Sequence, residues 1–243
     1  MGPILLLFIL LSLVAEILGT IGGFGSSMFF VPIAGYFFDF HSVLGITALF
    51  HLSSNFSKIA LFRNGFDKKL VITIGIPAVI FVIIGGFLSQ FFDSKLLEVS
   101  LAVFLIVLSG LLLLFRQFSL KPTISNSIIG GSVSGVAAGL LGTGGAVRGL
   151  TLAAFKLDKE RFIATSAIID MAIDLSRSVV YFSNGYMHRH DLYLVPILLV
   201  VAITGTLIGK KVLTRFSESK FRNLVLYLIL FVGILTLLKM IWH

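Results

Sequence analysis

The chain has no cysteine, a single tryptophan and five prolines, and charged residues fill only 12% of its 243 positions. The first absence excludes disulfides, thiolate nucleophiles and cysteine-based metal sites. The scarcity of charge excludes more, because a soluble domain carries roughly 25% charged residues. No polar stretch is long enough to form a soluble domain beside the apolar ones. There is also no P-loop, no nucleophile–base grouping and no glycine run following a soluble strand. Nucleotide binding and enzyme chemistry therefore have no motif to rest on, and no cofactor is expected.

What fills the chain instead is apolar: 57% of residues are hydrophobic, 24 of them phenylalanine. Apolar segments fall at 3–37, 42–62, 70–92 and 96–115, then at 124–155, 162–182, 192–213 and 221–242. Several are near the ~20 residues that cross ~30 Å of hydrocarbon. The expected class is an all-α polytopic membrane protein, with residues 1–243 forming one transmembrane domain in the lipid bilayer. The first segment lacks a basic leader and stays apolar past residue 30, so it is read as retained. The net charge of +8 comes from clusters between apolar segments, such as Lys68-Lys69, Lys210-Lys211, Arg215, Lys220 and Arg222. That is how cytoplasmic loops are marked, and it removes nucleic acid as a partner.

One stretch breaks the apolar pattern. Gly19-Thr20-Ile21-Gly22-Gly23-Phe24-Gly25-Ser26-Ser27 places four glycines within seven residues of a membrane segment. The construction returns as Gly139-Leu140-Leu141-Gly142-Thr143-Gly144-Gly145. A shift of 120 positions carries Gly19, Gly22 and Gly25 onto Gly139, Gly142 and Gly145. Without a gap, the same shift carries Phe62 onto Phe182, Asn64-Gly65 onto Asn184-Gly185 and Gly85 onto Gly205. The expectation is two repeats, 1–120 and 121–243.

The first segment of each repeat is too long for one helix and short for two full ones, which fits a hairpin turning at the glycines. Each repeat then holds about five membrane helices, and an odd number makes the pair inverted. The basic loops support this count. With both hairpins in place, Lys68-Lys69, Arg116/Lys121, Lys156, Lys159, Arg161 and the 210–222 cluster all fall inside. Asp93, Lys95, Glu98 and both termini fall outside.

Non-helical backbone at membrane depth must be covered by protein or line a wet cavity. The helix that follows such a break offers free N–H groups and a positive dipole end, which suits an anion. Gly130, Gly131 and Gly135, by contrast, have the spacing of close helix packing.

Charged groups at this depth cost at least ~2.5–3.5 kcal/mol on insertion scales. Here they are Glu16, Lys58, Arg148, Asp170, Asp174 and Arg177, with His51 as a neutral candidate. Asp170, Asp174 and Arg177 share one helix face at i, i+4 and i+7, and His51, Asn55 and Lys58 share another. The functional reading gives Gly22, Gly23, Gly25, Ser26, Asn55, Lys58, Gly142, Thr143, Gly144, Gly145, Arg148 and Arg177 to a small anionic substrate. Asp170 and Asp174 are left for coupling. The bland alternative is a self-neutralising Asp174–Arg177 pair, with Lys58 snorkelling from a helix end. Glu16, one turn before Gly19, is read as a bond to a neighbouring helix. His188-Arg189-His190-Asp191 marks a loop end and makes a poor metal site.

The two glycine clusters, Val31-Pro32 and the Asn64-Gly65/Asn184-Gly185 ends together resemble the sulfite exporter TauE/SafE family. The resemblance spans the whole chain and its two-repeat layout. It implies a permease for anions of sulfur metabolism, such as sulfite or an organosulfonate, in a bacterial or related cell membrane. A homodimer is the candidate assembly. Where the family pattern places a second proline, this chain has Leu152, with Arg148-Gly149 just before it. The competing functions are an anion channel and a membrane assembly subunit that transports nothing.

Overall fold

The computed structural model describes residues 2–242 apart from 23–24, 63–64, 116–119, 189–190 and 214–217, and apart from the side chains of 218–222 and 241–242. Gly23 and Phe24 of the first glycine motif, together with Arg63, Asn64, Arg116, Arg189, His190 and Arg215, therefore lie outside the described residues, as do the side chains of Lys220 and Arg222.

Among the described residues ten α-helices follow one another: α1 Pro3–Gly22, α2 Ser27–Ala34, α3 Phe40–Leu61, α4 Lys68–Leu88, α5 Ser94–Leu114, α6 Ile124–Leu141, α7 Gly145–Ala153, α8 Lys159–Ser183, α9 Leu194–Leu213 and α10 Glu218–Trp242. No strand occurs among the described residues. The lengths run 20, 8, 22, 21 and 21 residues, then 18, 9, 25, 20 and 25.

The long helices start where the sequence offers a cap. The side chains of Asp39, Asp67, Asp93, Thr123 and Asp158 accept from the backbone N–H of Ser42, Leu70, Leu96, Asn126 and Arg161. Each satisfies one N–H that the helix cannot pair internally.

Among the described residues six helices (α1, α4, α5, α6, α9 and α10) are long and apolar enough to cross a membrane. They leave large apolar side chains exposed, among them Ile72, Ile76, Ile80 and Phe87 on α4 and Val103, Val107 and Leu111 on α5. A helix apolar on its outer face needs hydrocarbon around it. Packed against these are α3 and α8, which carry the polar stripes and still expose Phe56 on α3 and Leu175, Val179 and Phe182 on α8. Fourteen of the 22 residues of α3 are buried. His51, Asn55 and Lys58 of α3 and Asp174 and Arg177 of α8 are buried, turned away from lipid.

Small residues set the packing. Gly131, Gly135 and Gly139 of α6 lie against Ile74, Ala78 and Val82 of α4, so these helices run parallel in close backbone contact. Gly205 and Gly209 of α9 lie against Glu16 and Thr20 of α1 in the same sense. The pairs α3/α8 and α5/α10 run antiparallel: Gly45 abuts Tyr186 and Asn55 meets Asp174 in the first, while Gly233 abuts Ala102–Ile106 and Lys239 meets Glu98 in the second.

The short helices α2 and α7 rise only about 12–14 Å at 1.5 Å per residue. Neither crosses ~30 Å by itself, in keeping with the hairpins of shorter helices expected at the glycines, and each half holds five of the ten helices. Hydropathy registers how many apolar residues a segment has but not where it turns. Each short helix is the return arm of a hairpin. Phe8, early in α1, packs against Phe37 and Phe38, just beyond α2, while Gly19 lies against Ser26 at the turn.

The loop ends sort by charge. The Asp67 carboxylate faces Arg161 and its backbone N–H donates to Thr165 Oγ1; nearby, Lys210 donates to the carbonyl of Leu61. These contacts gather Lys68, Lys69, Lys159, Arg161, Lys210 and Lys211 at one end of the bundle. At the opposite end Ser42 meets His188, His41 meets Ser94 and Lys239 meets Glu98.

Candidate functional site

The two helix breaks touch. Residue 25 at the first and residue 142 at the second take φ of +83° and +72°, which glycine adopts without the strain a side chain brings. Gly19 lets α1 close onto the returning chain, since a Cβ there would collide with the backbone of Ser26. With both turns made, Thr143 Oγ1 donates to Ser27 Oγ at 3.0 Å. At the second break, Ser134 Oγ donates to the Gly144 carbonyl at 2.8 Å. The first N–H groups of α2 and α7 have no acceptor within their own helices.

Arg177 holds the second break together. Its Nη1 donates to the Gly142 carbonyl at 2.8 Å, and the Tyr181 hydroxyl donates to the carbonyls of Ala138 and Gly139 at 3.0 and 2.8 Å. These groups bond carbonyls at the end of α6, of which Ala138 also accepts from the Gly142 N–H, and a cation there also suits the negative dipole end. Arg177 Nη2 pairs with Asp174 Oδ1 at 2.6 Å, and Asn55 Nδ2 donates to the other oxygen, Oδ2, at 2.6 Å.

Glu16 plays the corresponding part at the first break. It is fully buried and accepts from Thr20 at 3.1 Å, Ser26 at 2.6 Å, Ser54 at 2.6 Å and Thr206 at 3.0 Å. Lys58 Nζ lies 3.0 Å from the same carboxylate and donates to Ser54 Oγ at 2.7 Å. The sequence reading undervalued Glu16, whose partners come from four separate segments. Lys58 does not snorkel: its side chain is 8% exposed and it is held by Glu16.

His51 links the two breaks. Its Nε2 lies 3.1 Å from Ser26 Oγ and its Nδ1 lies 3.5 Å from Arg177 Nη2. Ser26 spends its one proton on Glu16, so Nε2 is the donor to Ser26. Nδ1 faces an N–H of the guanidinium and is the acceptor. These contacts specify the neutral tautomer with the proton on Nε2.

Arg148, on α7, is 2% exposed; its Nη2 donates to Asp170 Oδ2 at 2.5 Å and its Nε to Ser166 Oγ at 3.3 Å. Between α1, α3 and α8 lies a small cavity of about 20 Å³, with Gly19, Thr20, Gly25, Lys58, Ser166 and Asp170 among its lining residues. That is room for about one water.

Of the residues singled out from sequence, Gly25, Ser26, Asn55, Lys58, Gly142, Thr143, Gly144, Arg148, Asp170, Asp174 and Arg177 are drawn into this one region. Gly22 ends α1, Gly145 begins α7, and Gly23 lies outside the described residues. The three cations do not stand free: Lys58, Arg148 and Arg177 each face a carboxylate, namely Glu16, Asp170 and Asp174. The Asp174–Arg177 pair sits at i, i+3 on one helix, but it also anchors the second break. Tyr181 and Ser166 were not picked out; hydroxyls are common on membrane helices, and nothing local to these two marks them.

Comparison with curated proteins and with solved structures returned no match. A family model, described as sulfite exporter TauE/SafE, matches residues 8–236. The match covers both helix breaks and every charged residue of the buried cluster, and the chain belongs to the sulfite exporter TauE/SafE family, a family of multi-pass membrane transporters.

Proposed function

We propose that the protein is a secondary transporter of a small anion, a sulfur oxyanion or an organosulfonate, in the cell membrane of a bacterium or archaeon, and that it catalyses no covalent chemistry. The observation that carries this reading is the meeting of two glycine breaks, Thr143 on Ser27 at 3.0 Å, beside three buried cations. The cavity beside them, with room for about one water, favours an occluded, gated site over the open pore of a channel. An assembly subunit has no evident use for paired breaks lined with buried ion pairs.

The halves 1–120 and 121–243 act in this reading as inverted repeats within one transmembrane domain, and alternating access is one half moving against the other. Supporting this are the recurring helix lengths and the antiparallel pairing of the matched helices α3 with α8 and α5 with α10. The basic end is cytoplasmic by the positive-inside rule, which puts the start of α1 and the end of α10 outside. The substrate sits where the breaks meet, held by Lys58 and Arg148 and by the N–H ends of α2 and α7. Arg177, Asn55 and Asp174 keep the second break in shape.

The test is counterflow in liposomes loaded with unlabelled anion, using labelled sulfite, sulfate, thiosulfate and methanesulfonate. Uptake of at least one of them, reduced tenfold or more by Arg148→Gln, is the expected result. No uptake of any removes the proposal, and unitary currents of a continuous pore replace it with the channel.

A further inference from the structure

The buried cluster contains as many carboxylates as cations. Glu16, Asp170 and Asp174 balance Lys58, Arg148 and Arg177, and each pair lies within 3.0 Å. A site with no net formal charge offers an extra anion hydrogen bonds and the dipole ends of α2 and α7 but no opposite charge to balance it. Adding a monoanion would leave one uncompensated negative charge in low dielectric, which is strongly unfavourable. Balance returns if one carboxylate takes up a proton as the anion enters.

The geometry says which one. Glu16 already receives five donors, so a proton on it would meet groups that point N–H or O–H at it. Asp174 has both oxygens engaged at 2.6 Å. Asp170 differs on two counts. Its bonds from Arg148 and Ser166 both end on Oδ2, and its side chain is 17% exposed, against 0% for Glu16 and 3% for Asp174. It also lines the cavity together with Lys58.

The charged groups around it are Arg148 from α7, Lys58 from α3, Glu16 from α1 behind Lys58, and Asp174 and Arg177 on α8 itself. His51 stands one contact further, on Arg177. Protonating Asp170 releases Arg148 from its pair beside the cavity and leaves two cations, Arg148 and Lys58, facing the entering anion.

Resting on the transport reading above, we propose that each monoanion is carried together with one proton, taken up at Asp170, so that the protein is an electroneutral proton–anion symporter. The carboxylate plus one proton becomes a carboxylic acid, the anion takes its place on Arg148, and both leave together on the far side.

The experiment uses the full chain in liposomes with methanesulfonate, sulfate and thiosulfate, none of which titrates near neutral pH. Anion counterflow without a pH gradient is measured first, and its absence for all three overturns the transport reading itself. With counterflow present, a pH gradient of one unit, acid outside, is then applied with no labelled anion inside. Methanesulfonate is expected to accumulate up to about tenfold, since a one-unit gradient is a tenfold ratio for one proton. An alkaline shift outside, one proton per anion, should accompany it, and clamping the membrane potential should not change it. Asp170→Asn is expected to abolish accumulation and the pH shift while slower exchange persists. Glu98→Gln, in the outer pair with Lys239, should still accumulate. Accumulation indifferent to the pH gradient in the unmodified protein, or undiminished in Asp170→Asn, overturns the proposal. The measurement on the unmodified protein decides even if the variant fails to fold.

Discussion

Thr143 and Ser27, 116 positions apart, share a hydrogen bond of 3.0 Å at the point where two interrupted helices meet. Their separation in sequence is close to the 120-position offset between the glycine clusters that place them. The bond therefore joins the equivalent turns of the two halves. Around it the backbone is irregular; Glu16 accepts from the hydroxyls of Thr20 and Ser26 at one turn, Arg177 donates to the Gly142 carbonyl at the other, and both are neutralised by partners on α3 and α8.

Removing Glu16 strands Lys58. Glu16→Ala leaves a buried ammonium without its carboxylate and four hydroxyls without their acceptor. Losing one partner of a buried pair costs about 3–5 kcal/mol. Thermal unfolding in detergent should show a large drop for Glu16→Ala, and the double variant Glu16→Gln/Lys58→Met should recover part of it. Additive losses in the double variant would show that the pair does not act as a unit.

Glycines in different places should behave differently. Alanine at Gly142 must adopt φ near +72° with its Cβ 2.9 Å from Leu44, and at Gly19 it collides with the backbone of Ser26. The conformational term alone is about 1–2 kcal/mol at Gly142. Gly110, toward the C-terminal end of α5, has nothing within 4 Å of such a Cβ, so Gly110→Ala should be neutral or stabilising by about 0.5–1 kcal/mol. Unfolding midpoints of the three variants check this ordering.

The absence of cysteine makes the orientation easy to test. Lys69 and Lys95 are both exposed, at opposite ends of the bundle. In intact cells, a thiol reagent that cannot cross the membrane should label Lys95→Cys and spare Lys69→Cys until the cells are opened. The reverse pattern would invert the assignment of the cytoplasmic end.

Much of this was legible in the residues. Clustered, duplicated glycines announced the breaks, and the i, i+4, i+7 stripes announced the inner faces of α3 and α8. What sequence reasoning misjudged depended on partners supplied by other helices. Glu16 has one local partner, Thr20, and its others come from Ser26, α3 and α9. Of the three ion pairs, only Asp174–Arg177 lies within one helix, so the neutrality of the cluster could not be read from spacing. The glycine hairpins announced short helices at α2 and α7, but whether they cross the membrane was not legible, because hydropathy runs smoothly through a turn that is itself apolar.

The most direct measurement fastens the two breaks together. In a chain with no other thiol, Ser27→Cys/Thr143→Cys places one cysteine on each side of the 3.0 Å contact. If transport requires the breaks to part, oxidation to the disulfide should stop anion counterflow in liposomes, reduction should restore it, and each single variant should be indifferent to oxidant. Full counterflow through completely cross-linked protein would contradict the account.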